Sequence, residues 1–208
     1  MRRLIPILLI TFGAACTAKK DTQADTTASS VTTTTTGTET PIASTETAVA
    51  PEVNPPGDIP DSQAFIIYQN TVGGYQLEVP EGWARSATGG NVTFISKLDG
   101  VSVKVAPASA APTVASVQAN EAKLIQSPGR AVTITGVSEA NLPGGKAVVI
   151  KYTSNSEPNP VTNKRVRLEN TAYIFHRNGK EATLTVWAPQ GADNVDQWNR
   201  MANSFRWL

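Results

Sequence analysis

The chain has 208 residues, with 18 Lys and Arg against 17 Asp and Glu, one cysteine and one histidine. A single cysteine excludes an internal disulfide and a thiolate metal site, and a single histidine leaves only carboxylates as further ligands, which suit hard cations better than zinc. Stability must therefore come from core burial.

Met1-Arg2-Arg3 places positive charge before the apolar run Leu4 to Phe12, and the small residues Gly13-Ala14-Ala15 follow. The run is too short to span a bilayer and reads as a secretory signal over residues 1–15. Cys16 comes next, so the segment resembles a lipobox, in which the cysteine is diacylated and becomes the new N-terminus. Gly13 stands where that pattern usually has Leu, which keeps ordinary signal cleavage near the same place as the alternative. Thr17 after the cysteine favours outer-membrane sorting in a cell with two membranes, as the likeness to other lipoproteins implies. The expected location is the cell envelope, on the exported side, with the membrane engaged through the lipid on Cys16.

Residues 16–64 are dominated by Thr, Ala, Ser, Pro and Glu, including the run Thr32 to Thr36 and the prolines Pro51, Pro55, Pro56 and Pro60. Such a composition buries too little apolar area to offset its ordering entropy, so a disordered tether is expected. Two lysines against seven acidic residues extend it further. As a flexible coil, about 48 residues would span roughly 40 Å.

From Phe65 the composition changes, and 65–208 reads as one domain, expected as a monomer. Phe65 to Tyr68 and Tyr75 to Val79 are expected strands around Gly73-Gly74. Pro80-Glu81-Gly82-Trp83 then turns the chain into another extended piece. Val92 to Leu98 and Val101 to Val105 flank Asp99-Gly100, which reads as a type I′ hairpin turn. Val114 to Gln126 has helical period, with Val114, Val117, Leu124 and Ile125 on one side. Ala131 to Thr135, Ala147 to Thr153, Arg165 to His176 and Glu181 to Trp187 are further strands, the last two joined by Asn178-Gly179. Asn194 to Phe205 is an amphipathic helix with Val195, Trp198, Met201, Ala202 and Phe205 on one stripe and Asp193 placed to cap it. Strands, helix, strands, helix argue an α+β fold, an antiparallel sheet with helices packed on it.

Gly74-Tyr75-Gln76-Leu77-Glu78-Val79-Pro80-Glu81-Gly82-Trp83 is similar to the opening of the PsbP-like domains, the superfamily of the extrinsic protein of the photosystem oxygen-evolving complex. The hairpin around Asn178-Gly179 and the ending Met201-Ala202-Asn203-Ser204-Phe205-Arg206-Trp207 look like that family's final hairpin, closing helix and Ser-Phe strand. The resemblance implies a central antiparallel sheet with helices on both faces, an α/β/α sandwich. It also implies a binding or assembly protein rather than an enzyme, or a photosystem accessory protein if the source is photosynthetic.

Chemical candidates are few. His176, before the Asn178-Gly179 turn, lacks a flanking glycine elbow or oxyanion loop and reads as a hairpin residue. Asp193 and Asp196 fall in the first turn of a helix, where the macrodipole stabilises negative charge. The double glycines at Gly73, Gly89 and Gly144 start no nucleotide-binding pattern. Trp83, Trp187, Trp198 and Trp207 read as core. No cofactor, metal site or catalytic residue is expected, and a carboxylate-dependent hydrolase would need a deep pocket lined by two acids.

The domain carries 14 basic residues against 10 acidic ones. An exported location points away from nucleic acid and toward another exported or membrane protein as partner. Lys164, Arg165, Arg167, Arg177 and Lys180 concentrate near one hairpin, and period-two alternation puts Arg165, Arg167, Tyr173, Phe175 and Arg177 on one face. Arginine with tyrosine is enriched where interfaces concentrate their energy, so this set is the expected partner-binding face. The alternative is that a helix covers Tyr173 and Phe175.

Overall fold

The computed structural model describes residues 46–208, Pro128 excepted; the expected signal segment, Cys16 and the tether as far as residue 45 lie outside the described residues. In chain order the elements are β1 (Phe65–Asn70), β2 (Tyr75–Pro80), β3 (Ala84–Thr88), β4 (Asn91–Ser96), β5 (Asp99–Pro107), α1 (Val114–Ala119) and α2 (Glu121–Gln126). They continue with β6 (Thr133–Leu142), β7 (Gly145–Asn155), β8 (Arg167–Arg177), β9 (Lys180–Pro189), α3 (Val195–Ser204) and β10 (Arg206–Trp207). Seven strands form one sheet in the order β3-β4-β5-β9-β8-β7-β6, and β1-β2-β10 form a second. All pairings are antiparallel.

The sheet of the expected α/β/α sandwich is present, but the described chain is mainly β, with three short helices and a second sheet taking up much of the covering. The Asn178-Gly179 turn forms as expected, both residues at positive φ and Arg177 opposite Lys180. The Asp99-Gly100 turn does not. The two-residue turn is Lys97-Leu98, with Lys97 at φ 53° and Ser96 opposite Asp99. Asp99 and Gly100 lie inside β5, where Asp99 is buried and Gly100 pairs with Trp187. A tertiary demand for a residue without Cβ has overridden the local turn preference.

The helix expected over Val114 to Gln126 breaks at Asn120. Thr113 and Ser116 form a capping box at its start. The break shifts the helical phase, so Val117 is fully buried while Leu124 is 69% exposed. At α3 the cap is Asn194, not Asp193, and it makes no side-chain cap hydrogen bond. Val195 faces solvent, whereas Trp198, Met201 and Ala202 are buried.

Alternation along the central strands builds two cores. Val101 and Val103 of β5, Ala182, Leu184 and Val186 of β9 and Phe175 of β8 join Tyr75, Leu77 and Val79 of β2 and the buried face of α3. Phe205 stacks on Phe175 with ring centres 4.5 Å apart and meets Trp207 edge to face. The intervening residues Val148, Ile150, Ala172 and Ile174 form a second core with Val117 of α1 and Ala122 of α2.

Composition assigns residues 46–64 to the tether, yet they are hydrogen-bonded along the domain. The Val49 N–H donates to Asn155 Oδ1, and the Asp193 N–H to Asp58 Oδ1. Asn194 is almost wholly buried. Its Oδ1 accepts from the Ile59 N–H at 2.6 Å and its Nδ2 donates to the Gly57 carbonyl at 2.8 Å. One side-chain amide thus satisfies a buried backbone donor and acceptor, and Ile59 is buried beside it.

Asp99 lies next to this lock, its Oδ1 3.4 Å from Asn194 Nδ2. Burial, helped by the charge of Asp58, pushes its carboxyl up to about 7. That value lies above the ordinary carboxylate range of about 4. Between the two values the folded chain holds a proton that the unfolded chain has released, so this group's stabilisation is complete at low pH and is lost as pH rises through about 7. Thermal melts of Asp99→Asn should therefore show a smaller loss of stability than the parent chain from roughly pH 5 to pH 8. Parallel pH profiles for the two proteins would contradict this titration.

Candidate functional site: a polar trough on the large sheet

The expected partner-binding residues do not share an exposed face. Phe175 is fully buried and Tyr173 packs against the same core. Arg167 is also buried, with Nη1 donating to the Ala131 carbonyl and Asn155 Oδ1 and Nη2 donating to Thr153 Oγ1. Arg165 pairs with Glu46 at 2.9 Å. Lys164, Arg177 and Lys180 are exposed. Along β8, Tyr173 and Phe175 turn to the core shared with the second sheet and α3, while Arg167 is taken up by Ala131, Asn155 and Thr153 and Arg165 lines the opposite face.

The opposite face of the same strands is open. The helices α1 and α2 pack against the β6, β7 and β8 end of the sheet, and beside them lies a trough of about 1250 Å³. Its floor presents Ser102 from β5, Asn170 from β8 and Thr183, Thr185 and Trp187 from β9. Leu124 and Ile125 of α2 form part of one wall, and Glu46, Arg130 and Arg165 stand at one end. The sequence signal for this floor is in β9: Thr183, Thr185 and Trp187 alternate with Ala182, Leu184 and Val186 and must face away from the apolar core. Trp187 was expected in a core, but it lines the trough instead.

Gly100 seats that tryptophan. The two residues are direct cross-strand partners, and a Cβ on Gly100 would overlap Cζ2, Cε2 and Cη2 of the indole. The ring therefore lies against bare backbone, which fixes its position. Asn170 is buried and held by Ser154 Oγ at 3.1 Å. Ser102 is 8% exposed and lies on the trough floor opposite Thr185.

Four carboxylates line the same trough, Glu46 and Glu157 beside the arginines and Glu121 and Glu181 near one another. Glu181 is raised by burial and by the charge of Glu121, with His176, its cross-strand partner, acting in the opposite direction. Glu121 Oε2 is buried without a hydrogen-bond partner among the described residues. His176 Nε2 lies 3.1 Å from the Ala108 carbonyl. Asp193 and Asp196 are not part of the trough lining. Among the described residues, no group of three or more His, Cys, Asp and Glu is placed to hold a metal ion. Around the trough Lys104, Arg130 and Arg165 nearly balance Glu46, Glu121, Glu157 and Glu181.

No protein-family model and no curated protein matches the chain. Among solved structures, it is similar to the solution structure of cyanobacterial PsbP (CyanoP) from Synechocystis sp. PCC 6803, with 17% identity and a TM-score of 0.48 over 74% of this chain and 99% of that one. It is also similar to a crystal structure from Bacteroides thetaiotaomicron, with 9% identity and a TM-score of 0.45 over 67% of this chain. The match spans 47% of that second protein.

Gly100→Ala tests the seat of Trp187. Forcing a methyl under the ring should lower stability by roughly 1–3 kcal/mol, the usual range for overpacking, and shift the Trp187 indole N–H resonance. An unchanged melt with an unmoved indole signal would show that the ring does not depend on this glycine.

Proposed function

We propose that the chain is a non-catalytic lipoprotein of the cell envelope, a membrane-tethered binding or assembly-accessory module. Lipid on Cys16 holds it on the exported side, and the trough receives part of another exported macromolecule. The trough is the observation that supports this reading most strongly. A stable domain gains nothing by itself from leaving a tryptophan, hydroxyls and a buried carboxylate oxygen around an open volume of about 1250 Å³. The tether agrees with it, since a module that must reach its target needs slack between lipid and site. The same reading takes the helices as outer layers of an α/β/α sandwich. The photosystem accessory role draws on the sequence resemblance alone.

A second reading has its own observation. Glu121 and Glu181 line one trough, the arrangement of two acids that a carboxylate-dependent hydrolase requires. Loss of turnover in Glu181→Gln, with capture intact, would favour it.

Crosslinking and pull-down of the intact lipoprotein from its own membranes tests the main reading. Thr185→Trp, which fills the trough from a half-buried floor position, should abolish capture while the melt stays close to that of the parent chain. Cys16→Ser should move the chain from the membrane to the soluble fraction. Undiminished capture by the folded Thr185→Trp chain would remove the trough from the function, and membrane retention of Cys16→Ser would remove the lipid anchor.

A further inference from the structure

The trough restricts the chemistry of its occupant. Its floor belongs to strands in the interior of the seven-stranded sheet, β5, β9 and β8, each paired on both sides. Their backbone N–H and C=O groups are used in the ladders, so an extended peptide cannot add there as a further strand. Recognition falls to side chains. Ser102, Thr183 and Thr185 offer hydroxyls, Asn170 an amide, and Glu121 and Glu181 carboxyl oxygens, along a floor that also carries the ring of Trp187.

This mixture suits a narrow class of ligand. Hydroxyls and carboxyls exchange hydrogen bonds with a molecule rich in hydroxyls, and a fixed indole offers an apolar surface to a C–H face. A lipid chain would strip water from the Ser, Thr and Asn groups without replacing it. A polyanion would meet four acids against three bases around the lining. Glu181 and Trp187 lie six residues apart along β9, about 20 Å, so an occupant that meets both is longer than a single ring.

We infer that the trough binds a neutral glycan chain, with one sugar ring stacked on Trp187 and the hydroxyls of this and successive rings held by Ser102, Thr185, Thr183 and, further along the floor, the carboxyls of Glu181 and Glu121. This rests on the trough being the ligand site, as proposed above, and names the class of ligand it takes. Glu121 carries particular weight. Its Oε2 is buried in the trough lining without a hydrogen-bond partner among the described residues. A ligand hydroxyl would satisfy it.

The test uses the full lipidated chain in detergent micelles, titrated with chitohexaose, cellohexaose and maltohexaose and followed through the Trp187 indole N–H resonance. Saturable binding of at least one of these is expected, with the indole signal moving. Trp187→Ala should weaken it by about tenfold. Because that change also uncovers Gly100, the double substitution Thr183→Val with Thr185→Val provides a second variant, which removes only hydroxyls and should weaken binding several-fold with the melt unchanged. Binding left intact by the double variant, or no saturable binding of any of the three, overturns the glycan inference. If Thr185→Trp still abolishes membrane capture in that case, the trough remains the site and only the ligand class is wrong. If capture is also unaffected, the binding-module reading falls with it.

Discussion

The period-two alternation of β9 is the constraint on which the rest of the structure depends. Ala182, Leu184 and Val186 must be buried together, and that places the second sheet and α3 on one face of the large sheet. The same geometry sends Thr183, Thr185 and Trp187 to the other face whether or not anything covers them. A slip of one residue in its pairing with β5 or β8 would exchange the faces, so the core and the trough are specified by the same hydrogen-bond register.

Two further features follow from that register. Gly100 can sit in mid-strand only because Trp187 arrives opposite it and covers the backbone that a side chain would otherwise shield. The displaced turn at Lys97-Leu98 is the local consequence, since a turn at Asp99-Gly100 would remove the seat. Past this same end of β9 the chain leads through Asn194 into α3, and that asparagine ties Gly57 and Ile59 to the fold. The ordered domain therefore begins before the composition changes. Glu46 extends this fastening to one end of the trough through Arg130 and Arg165.

What could be read from sequence was local. Asn178-Gly179 fixed its hairpin because the two residues supply positive φ regardless of context. The segments around Tyr75, Ile150 and Leu184 showed their strands through apolar alternation. Tertiary effects were hidden. Nothing adjacent to Asp99-Gly100 reveals that Trp187, far along the chain, needs the glycine. The contacts of residues 46–64 were hidden for a similar reason, because Ile59 is one apolar residue in a Pro-rich segment and its burial depends on an asparagine 135 positions away. Tyr173 and Phe175 mark the limit of alternation, which groups residues by face and does not say which face is covered. The trough was legible in β9 as Thr-x-Thr-x-Trp, but a tryptophan at strand spacing resembles core until the opposite face is seen to be filled.

The central claim is that the uncovered face of the large sheet, and no other surface, meets the partner. A photo-crosslinking residue at Leu124, 69% exposed on the trough wall, can be compared with one at Ile67, 66% exposed on the second sheet. With the intact chain in its own membranes, the account predicts adducts from position 124 and none above background from position 67. Adducts from position 67 with none from position 124 would contradict it.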